Sequence, residues 1–429
     1  MTWLQRYRLR TFLASSLWIV PVLGMGLALI AAPALRRIDD ATRWTLFGFG
    51  VEGARAVLTG LVASVFTFVV FVFSILLVAV QIASANLSPR VIAGLLSQRP
   101  VRVCLGLMVF TFVDGLAVLG RVESTAPQLP VAGVITCSLG SIVAFLYVID
   151  YMSRKLRPVS VLSHVGLAGA RVVESIYPQL FTESRVEAEG SAGLDAHSPP
   201  QVVLCDEGGV VLAFDSRGLA ALARTSDAVI ELVPQVGDFV AKGDPLFRIH
   251  GGRGPLSEEH LLQRIALGAE RTLEQDPAFA FRIIVDIASK ALSPAINDPT
   301  TAVLAIDQLH HLLRNVGTRE LDTGLVRDGE KRLRLIYRTP NWEDFVDLAA
   351  TEIRHFGATS IQVARRQRAM LEDLITALPS ARHPPLHEEL RLLRSSAERA
   401  FSDAEDRARA ELGDAQGLGG RARGVETGA

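Results

Sequence analysis

Over its first third the chain alternates long uncharged runs with short polar connections, and its pattern changes after residue 158. The longest run, Ala56 to Pro89, contains no charged residue. A helix needs about 20 apolar residues to cross the hydrocarbon core of a bilayer. A soluble helix is rarely apolar on every face for that length. Residues 57–80 therefore read as a membrane span, and runs at 11–34, 103–120 and 129–151 read the same way. The first run follows Arg6, Arg8 and Arg10 and ends in small residues, as a secretion signal does. Its apolar part is longer than a signal needs, and more spans follow, so a retained helix is expected. Pro21, Gly24 and Gly26 point to a kink or to close helix packing within it. A polar loop, 35–55, separates the first two spans. After the second, Ser88-Pro89 opens a short amphipathic helix with Val91, Ile92, Leu95 and Leu96 on one side, suited to the membrane interface.

Beyond residue 158 the apolar residues become periodic. Val161, Leu162, Val165, Leu167, Val172 and Val173 predict an amphipathic juxtamembrane helix over 159–180. Residues 182–200, rich in Glu, Ser, Gly and Ala, read as a linker. From 201 to 251 the period becomes two, with a strand pair around Glu207-Gly208-Gly209 and two more strands about a Gly-Asp turn. This predicts a small β-barrel-like domain. From Ser257 the pattern is helical. Ser257, Asp276-Pro277 and Asn297-Asp298-Pro299 stand at three helix starts, with Ser, Asn or Asp as cap, acids in the first turn after Ser257, and Pro at the first helical position of the other two. RLRLIYRTP (332–340) interrupts the helices as a strand able to join the β part. Residues 413–429, mostly Gly, Ala and Arg, predict a disordered tail. The expected fold is thus a four-helix membrane domain (1–158), a juxtamembrane helix and linker (159–200), a β domain (201–251) and a helical domain (257–412).

Composition agrees. Hydrophobic residues make up 49% of 429, and mean hydropathy is +0.30, above that of ordinary soluble domains. A net charge of −1 gives no reason to expect a nucleic-acid partner. Cys104, Cys137 and Cys205 have neither disulfide-framework nor metal-ligand spacing, and no metal or cofactor is expected. Lys and Arg gather on one side of the spans (Arg6, Arg8, Arg10, Arg90, Arg99, Arg102, Arg154, Lys155, Arg157), so both termini are expected in the cytoplasm.

Two sets of residues carry candidate chemistry. Asp114 is the acid well inside a span, where a charge is expensive unless paired, hydrated or protonated. It reads either as a proton or cation site, with Thr67 of the second span as a polar companion, or as a neutral acid near the interface. In the soluble part, SPAINDPTTAV (293–303) and the preceding helix bring together Asp286, Lys290, Asn297, Asp298, Thr300 and Thr301. These suit a ligand or ion pocket between two helix ends. They are also the types a tight helix corner requires, and capping is the preferred reading. His310 and His311 are adjacent and cannot share a helix face as a metal pair. No Walker A, HExxH or GxSxG string occurs, so a non-enzymatic protein is expected.

VGDFVAKGDPLFRI (236–249) is similar to part of a biotinyl/lipoyl-type module, but no MKM tripeptide is present and Lys242 lies in a different kind of turn. No prosthetic group is expected from it. Over about 6–378 the chain resembles a family of predicted bacterial membrane proteins catalogued as domain of unknown function 2254. The resemblance rests on QIASANLSPRVI (81–92), PQVGDFVAKGDPL (234–246), RTLEQDPAFAFRIIVDIASKALSPAINDPTTAV (271–303) and WEDFVDLAATEIRHFGATSIQVARR (342–366). It implies an integral membrane protein with a cytoplasmic C-terminal part and no particular activity. Four spans and an intramembrane acid suggest an oligomeric channel or transporter embedded in the lipid bilayer. The alternative is a membrane-anchored sensor or scaffold whose cytoplasmic part binds a partner or small ligand.

Overall fold

The computed structural model describes residues 1–42, 48–86, 98–122, 126–182, 199–321 and 324–420. The short helix expected after Ser88-Pro89 and most of the 182–200 linker lie outside these residues. The chain divides into two compact units, residues 9–160, and residues 1–8 with 161–429.

The first unit is helical. From Leu9 it holds the end of helix α1 (Trp3–Ser15), followed by α2 (Ile19–Thr42), α3 (Val51–Asn86), α4 (Arg99–Leu119) and α5 (Gln128–Lys155). The run expected as one span from residue 11 is broken at 16–18, so α1 is separate. The expected 35–55 loop is helical as far as Thr42, because α2 carries Arg36, Arg37 and Asp39 on its last turns. Helices α2 and α4 approach closely at two glycines. A Cβ on Gly24 would stand 2.6 Å from the Gly106 carbonyl oxygen, and one on Gly106 would stand 2.8 Å from Val20. Small residues permit such contact between spans. The core is apolar, with Val65, Val72, Leu76, Leu105, Met108 and Phe145 in one cluster and Leu58, Val118 and Val131 in another. The outer faces are apolar too. Leu23, Leu27, Ile30, Phe66, Phe71, Leu77 and Val143 are all exposed.

Helix α6 (Pro158–Ile176) is a fifth helix long and apolar enough to cross a membrane, where four were expected. From Val161 onward it belongs to the second unit. It buries Val161, Leu162, Val165, Gly166, Gly169 and Val173 as one stripe. A Cβ on Gly169 would meet Ala280 at 2.5 Å.

The rest of the second unit is α+β. It runs β1 (Gln201–Leu204), β2 (Gly209–Phe214), α7 (Ser216–Thr225), β3 (Ala228–Leu232), β4 (Phe239–Val240), β5 (Pro245–Gly251), α8 (Glu258–Leu262) and β6 (Ile265–Gly268). Then come α9 (Pro277–Ala291), α10 (Pro299–Gly317), β7 (Leu325–Arg327), β8 (Leu333–Tyr337), α11 (Trp342–Phe356), α12 (Ile361–Ala377), α13 (His383–Ala400) and α14 (Ala404–Ala410). The strands form two open sheets, ordered β1-β5-β3-β8-β7 and β4-β2-β6, not a closed barrel. The expected β1–β2 pair does not form. Gly208 and Gly209 take φ of +63° and +149° and pass the chain from one sheet to the other. The strand at 332–340 does join the β part, as β8 beside β3 in parallel. Residues 265–268, expected as helix, form β6 along β2. Their apolar side chains complete the core of Val211, Phe214, Leu246 and Phe247.

The helical layer is fixed by buried charge. Arg354 Nε donates to Glu389 at 3.1 Å, and both side chains are almost fully buried. Residues 413–420, expected to be disordered, are held against α12 instead. The buried Arg365 donates to the carbonyls of Leu412, Gly419 and Gly420, and the Asp414 carboxylate accepts from the backbone of Gly417 and Gly419.

Breaking one member of a buried ion pair strands the other. Arg354→Ala is expected to cost about 3–5 kcal/mol, and Arg354→Met with Glu389→Leu to recover most of it, as read by denaturant unfolding of the purified protein.

Candidate functional site

The sequence-derived candidates separate in space. Asp114 lies on α4, 1% exposed, and its Oδ1 accepts no hydrogen bond. One turn earlier Thr111 meets Ser141 of α5, Oγ1 to Oγ at 3.2 Å. The two helices run antiparallel, so Asp114 falls level with Ser138, whose buried hydroxyl is also unbonded. Thr111, Asp114, Ser138 and Ser141 thus form a small polar strip between α4 and α5. Thr67 does not share it. Its side chain is exposed on α3 and donates to the Ala63 carbonyl one turn back.

The polar corner at 293–303 spends its groups on itself. Asp298 caps α10, with one carboxylate oxygen accepting from the Thr301 amide at 3.0 Å and the other from the Thr301 hydroxyl at 2.5 Å. The Asp298 amide donates to the Ala291 carbonyl, and Asn297 takes φ +49° to make the turn. Thr300 and Asn297 are exposed, and Lys290 is half-buried. Asp286 accepts from Arg282 at 2.6 Å, and Arg282 also grips Glu352 with two bonds of 2.6 Å. That grip holds the Glu352 carboxyl below its ordinary range. Among the described residues no group of three or more His, Cys, Asp or Glu could hold a metal ion.

A different place has the form of a binding site. A cavity of about 240 Å³ opens where five segments of the second unit meet. The end of α6 contributes Ser175 and Tyr177, and the end of β2 with the start of α7 contributes Phe214 and Ser216. Gln235 comes from the β3–β4 connection. Gln275 and Asp276 lie at the start of α9, Tyr337 ends β8, and Arg338 and Thr339 follow it. Phe214 and Tyr337 meet edge to face, 5.0 Å between centroids, and Tyr177 and Thr339 share a hydrogen bond of 3.0 Å through their hydroxyls. Gln275 is engaged with both the amide and the carbonyl of Phe214.

Asp276 is the unusual member. It caps α9, its Oδ1 accepting from Phe279 at 3.0 Å. Its Oδ2 is buried, accepts no hydrogen bond, and stands 3.8 Å from Arg271 Nε. Gly237, at φ +95°, closes over it, where a Cβ would come within 2.6 Å. Burial pushes the carboxyl up to about 6, against the opposing pull of Arg271 and of the Phe279 amide. Arg338 at the mouth is exposed. Of this set the sequence displayed Asp276 alone, and as a helix cap. Residues separated by up to 164 positions cannot be seen to converge from periodicity.

Comparison with known proteins places the chain in a family. The model for "Predicted membrane protein (DUF2254)" matches residues 14–373. Uncharacterized proteins of Mycobacterium bovis and of Mycobacterium tuberculosis are each 27% identical over 422 residues, covering 94% of this chain and 80% of theirs. No solved structure matches. The chain belongs to the DUF2254 family of predicted membrane proteins.

Proposed function

We propose that this membrane protein is an anchored receptor, in which the helices of residues 9–160 hold it in the bilayer and the α+β unit binds a small polar ligand beside Asp276. The observation that carries the reading is the cavity itself. It joins a buried carboxyl, an exposed arginine, three aromatic rings and the half-buried Gln235 and Ser216. Ligand sites typically combine apolar walls with a few convergent polar groups and a shifted titratable residue. At about 240 Å³ the cavity is smaller than most ligand pockets and suits a small polar molecule.

Asp114 is packed between α4 and α5, and Thr67 is exposed on α3 and does not join it, which supports anchoring over transport. The unbonded Asp114 Oδ1 and Ser138 hydroxyl favour a second, narrower reading, a bound proton or water between α4 and α5. In the topology that goes with the receptor reading, α2 to α5 cross the membrane and α6 lies along the soluble unit, with both termini in the bacterial cytoplasm. The buried stripe of α6 against α9 supports that assignment. The apolar outer faces of α2 and α3 face lipid or a second copy of the chain. Catalysis has no part in this reading.

Three outcomes check it. In a cysteine-free background, Arg37→Cys in right-side-out vesicles should react with an impermeant maleimide and Asp403→Cys should not. The reverse pattern contradicts the orientation. Thermal unfolding of the full-length protein with L-amino acids, ribonucleosides and short dicarboxylates, one at a time, should find a probe that raises Tm. Saturation at 100 times Kd contributes about 2.7 kcal/mol. Asp276→Asn and Arg338→Gln should each abolish that rise. No rise with any probe, or one indifferent to both substitutions, contradicts the site.

The third outcome concerns pH. Asp276 holds its proton more tightly when folded, about 6 against an ordinary 3.8. Its contribution to stability is therefore complete below 3.8 and lost as pH rises through about 6. Asn caps a helix as well as Asp does. Asp276→Asn should thus gain on wild type by up to about 3 kcal/mol across that window, measured as unfolding free energy against pH.

A further inference from the structure

The first unit carries a charge asymmetry that anchoring alone does not require. Three helix ends converge at one end of residues 9–160. The Arg102 guanidinium, near the start of α4, donates to the Leu13 carbonyl on the last turn of α1 at 3.1 Å. The Tyr151 hydroxyl, near the end of α5, donates to the Gln98 side chain at 3.0 Å. Lys155 lies 5.8 Å over the Tyr151 ring. Arg10, Arg99, Arg102, Arg154, Lys155 and Arg157 are therefore neighbours on one rim. Asp150 is the acid there among the described residues, and it is paired with Arg154. Six cations against one acid leave a charge of +5.

The opposite end is identified by its own contacts. Arg55 donates to the Val122 carbonyl at 2.8 Å, and Asp39 accepts from the Leu129 amide at 2.9 Å. It carries Arg36, Arg37, Arg55 and Arg121 with Asp39, Asp40 and Glu52, which is +1 among the described residues. The basic end also displays aromatic rings at its edge. Trp18 is 57% and Tyr147 53% exposed, and Phe12 lies against Trp18. Tyrosine and tryptophan favour the headgroup level of a bilayer, and basic residues there attract anionic lipid.

We propose that this rim is a docking surface for the phosphodiester headgroups of anionic phospholipids. Its cations project at headgroup depth, between apolar helix faces that reach the acyl chains. Arg10, Arg99 and Arg157 are exposed and carry the recognition, while Arg102 and Arg154 are held by Leu13 and Asp150. This surface is independent of the Asp276 cavity.

The test is native mass spectrometry of the full-length protein in neutral detergent, titrated with phosphatidylglycerol or phosphatidylcholine. Wild type should bind phosphatidylglycerol in preference. Arg10→Gln, Arg99→Gln and Arg157→Gln should each weaken that binding about fivefold, and the triple variant should lose the preference. Arg36→Gln with Arg37→Gln, at the other end, should leave it intact. Equal binding of the two lipids by wild type overturns the proposal, as does equal loss in both sets of variants. Displacement of the lipid by inorganic phosphate at matched concentration would assign the rim to free phosphate and likewise overturn it.

Discussion

Helices whose outer faces are as apolar as their inner ones need apolar surroundings, and that constraint governs the first unit. Leu23, Ile30, Phe66, Phe71 and Leu77 stand exposed on α2 and α3, where water would oppose them. A bilayer removes that cost, and it also demands that every backbone group be bonded internally, which long helices satisfy. Within such surroundings, helix association depends on close fit more than on hydrophobicity. The Gly24–Gly106 approach provides that fit between α2 and α4.

The second unit follows different rules, because it buries its apolar residues in a core of its own. Its two open sheets share a core with α7 and with the short α8–β6 segment. Its helices are joined by capped corners, Asp276-Pro277 and Asp298-Pro299, built alike yet serving different ends. At Asp298 both carboxylate oxygens are satisfied by Thr301. At Asp276 one oxygen caps the helix and the other is left in a buried place beside a cavity. A group that costs stability where it stands is a better candidate for function than one whose bonds are complete.

This contrast explains what the sequence could and could not reveal. The helices behind the expected spans 57–80, 103–120 and 129–151 were legible from composition: α3 and α5 contain the first and last, and α4 covers the middle one up to Leu119. The caps at Asp276 and Asp298 were legible because capping is local chemistry. Strand partnership was not. VVLCDEGGVVLAFD has the appearance of a hairpin, and only the positive φ at Gly208 and Gly209 sends β2 to another sheet. Residues 265–268 read as helix because their neighbours do, while pairing with β2 decides otherwise. The tail at 413–420 buries little apolar surface of its own and is held by Arg365, 54 and 55 positions before the Gly419 and Gly420 carbonyls it binds. The cavity was illegible for the same reason, since its walls come from segments that have no common pattern.

In the proposed division of labour residues 9–160 anchor and the α+β unit binds. Solute flux tests that division most directly. Purified protein in proteoliposomes, assayed with potassium, sodium and proton gradients at several pH values, should show no permeability above that of empty vesicles. Asp114→Asn should leave that baseline unchanged. A flux present in wild type and altered by Asp114→Asn would put the α4–α5 polar strip on a conduction path and contradict the account.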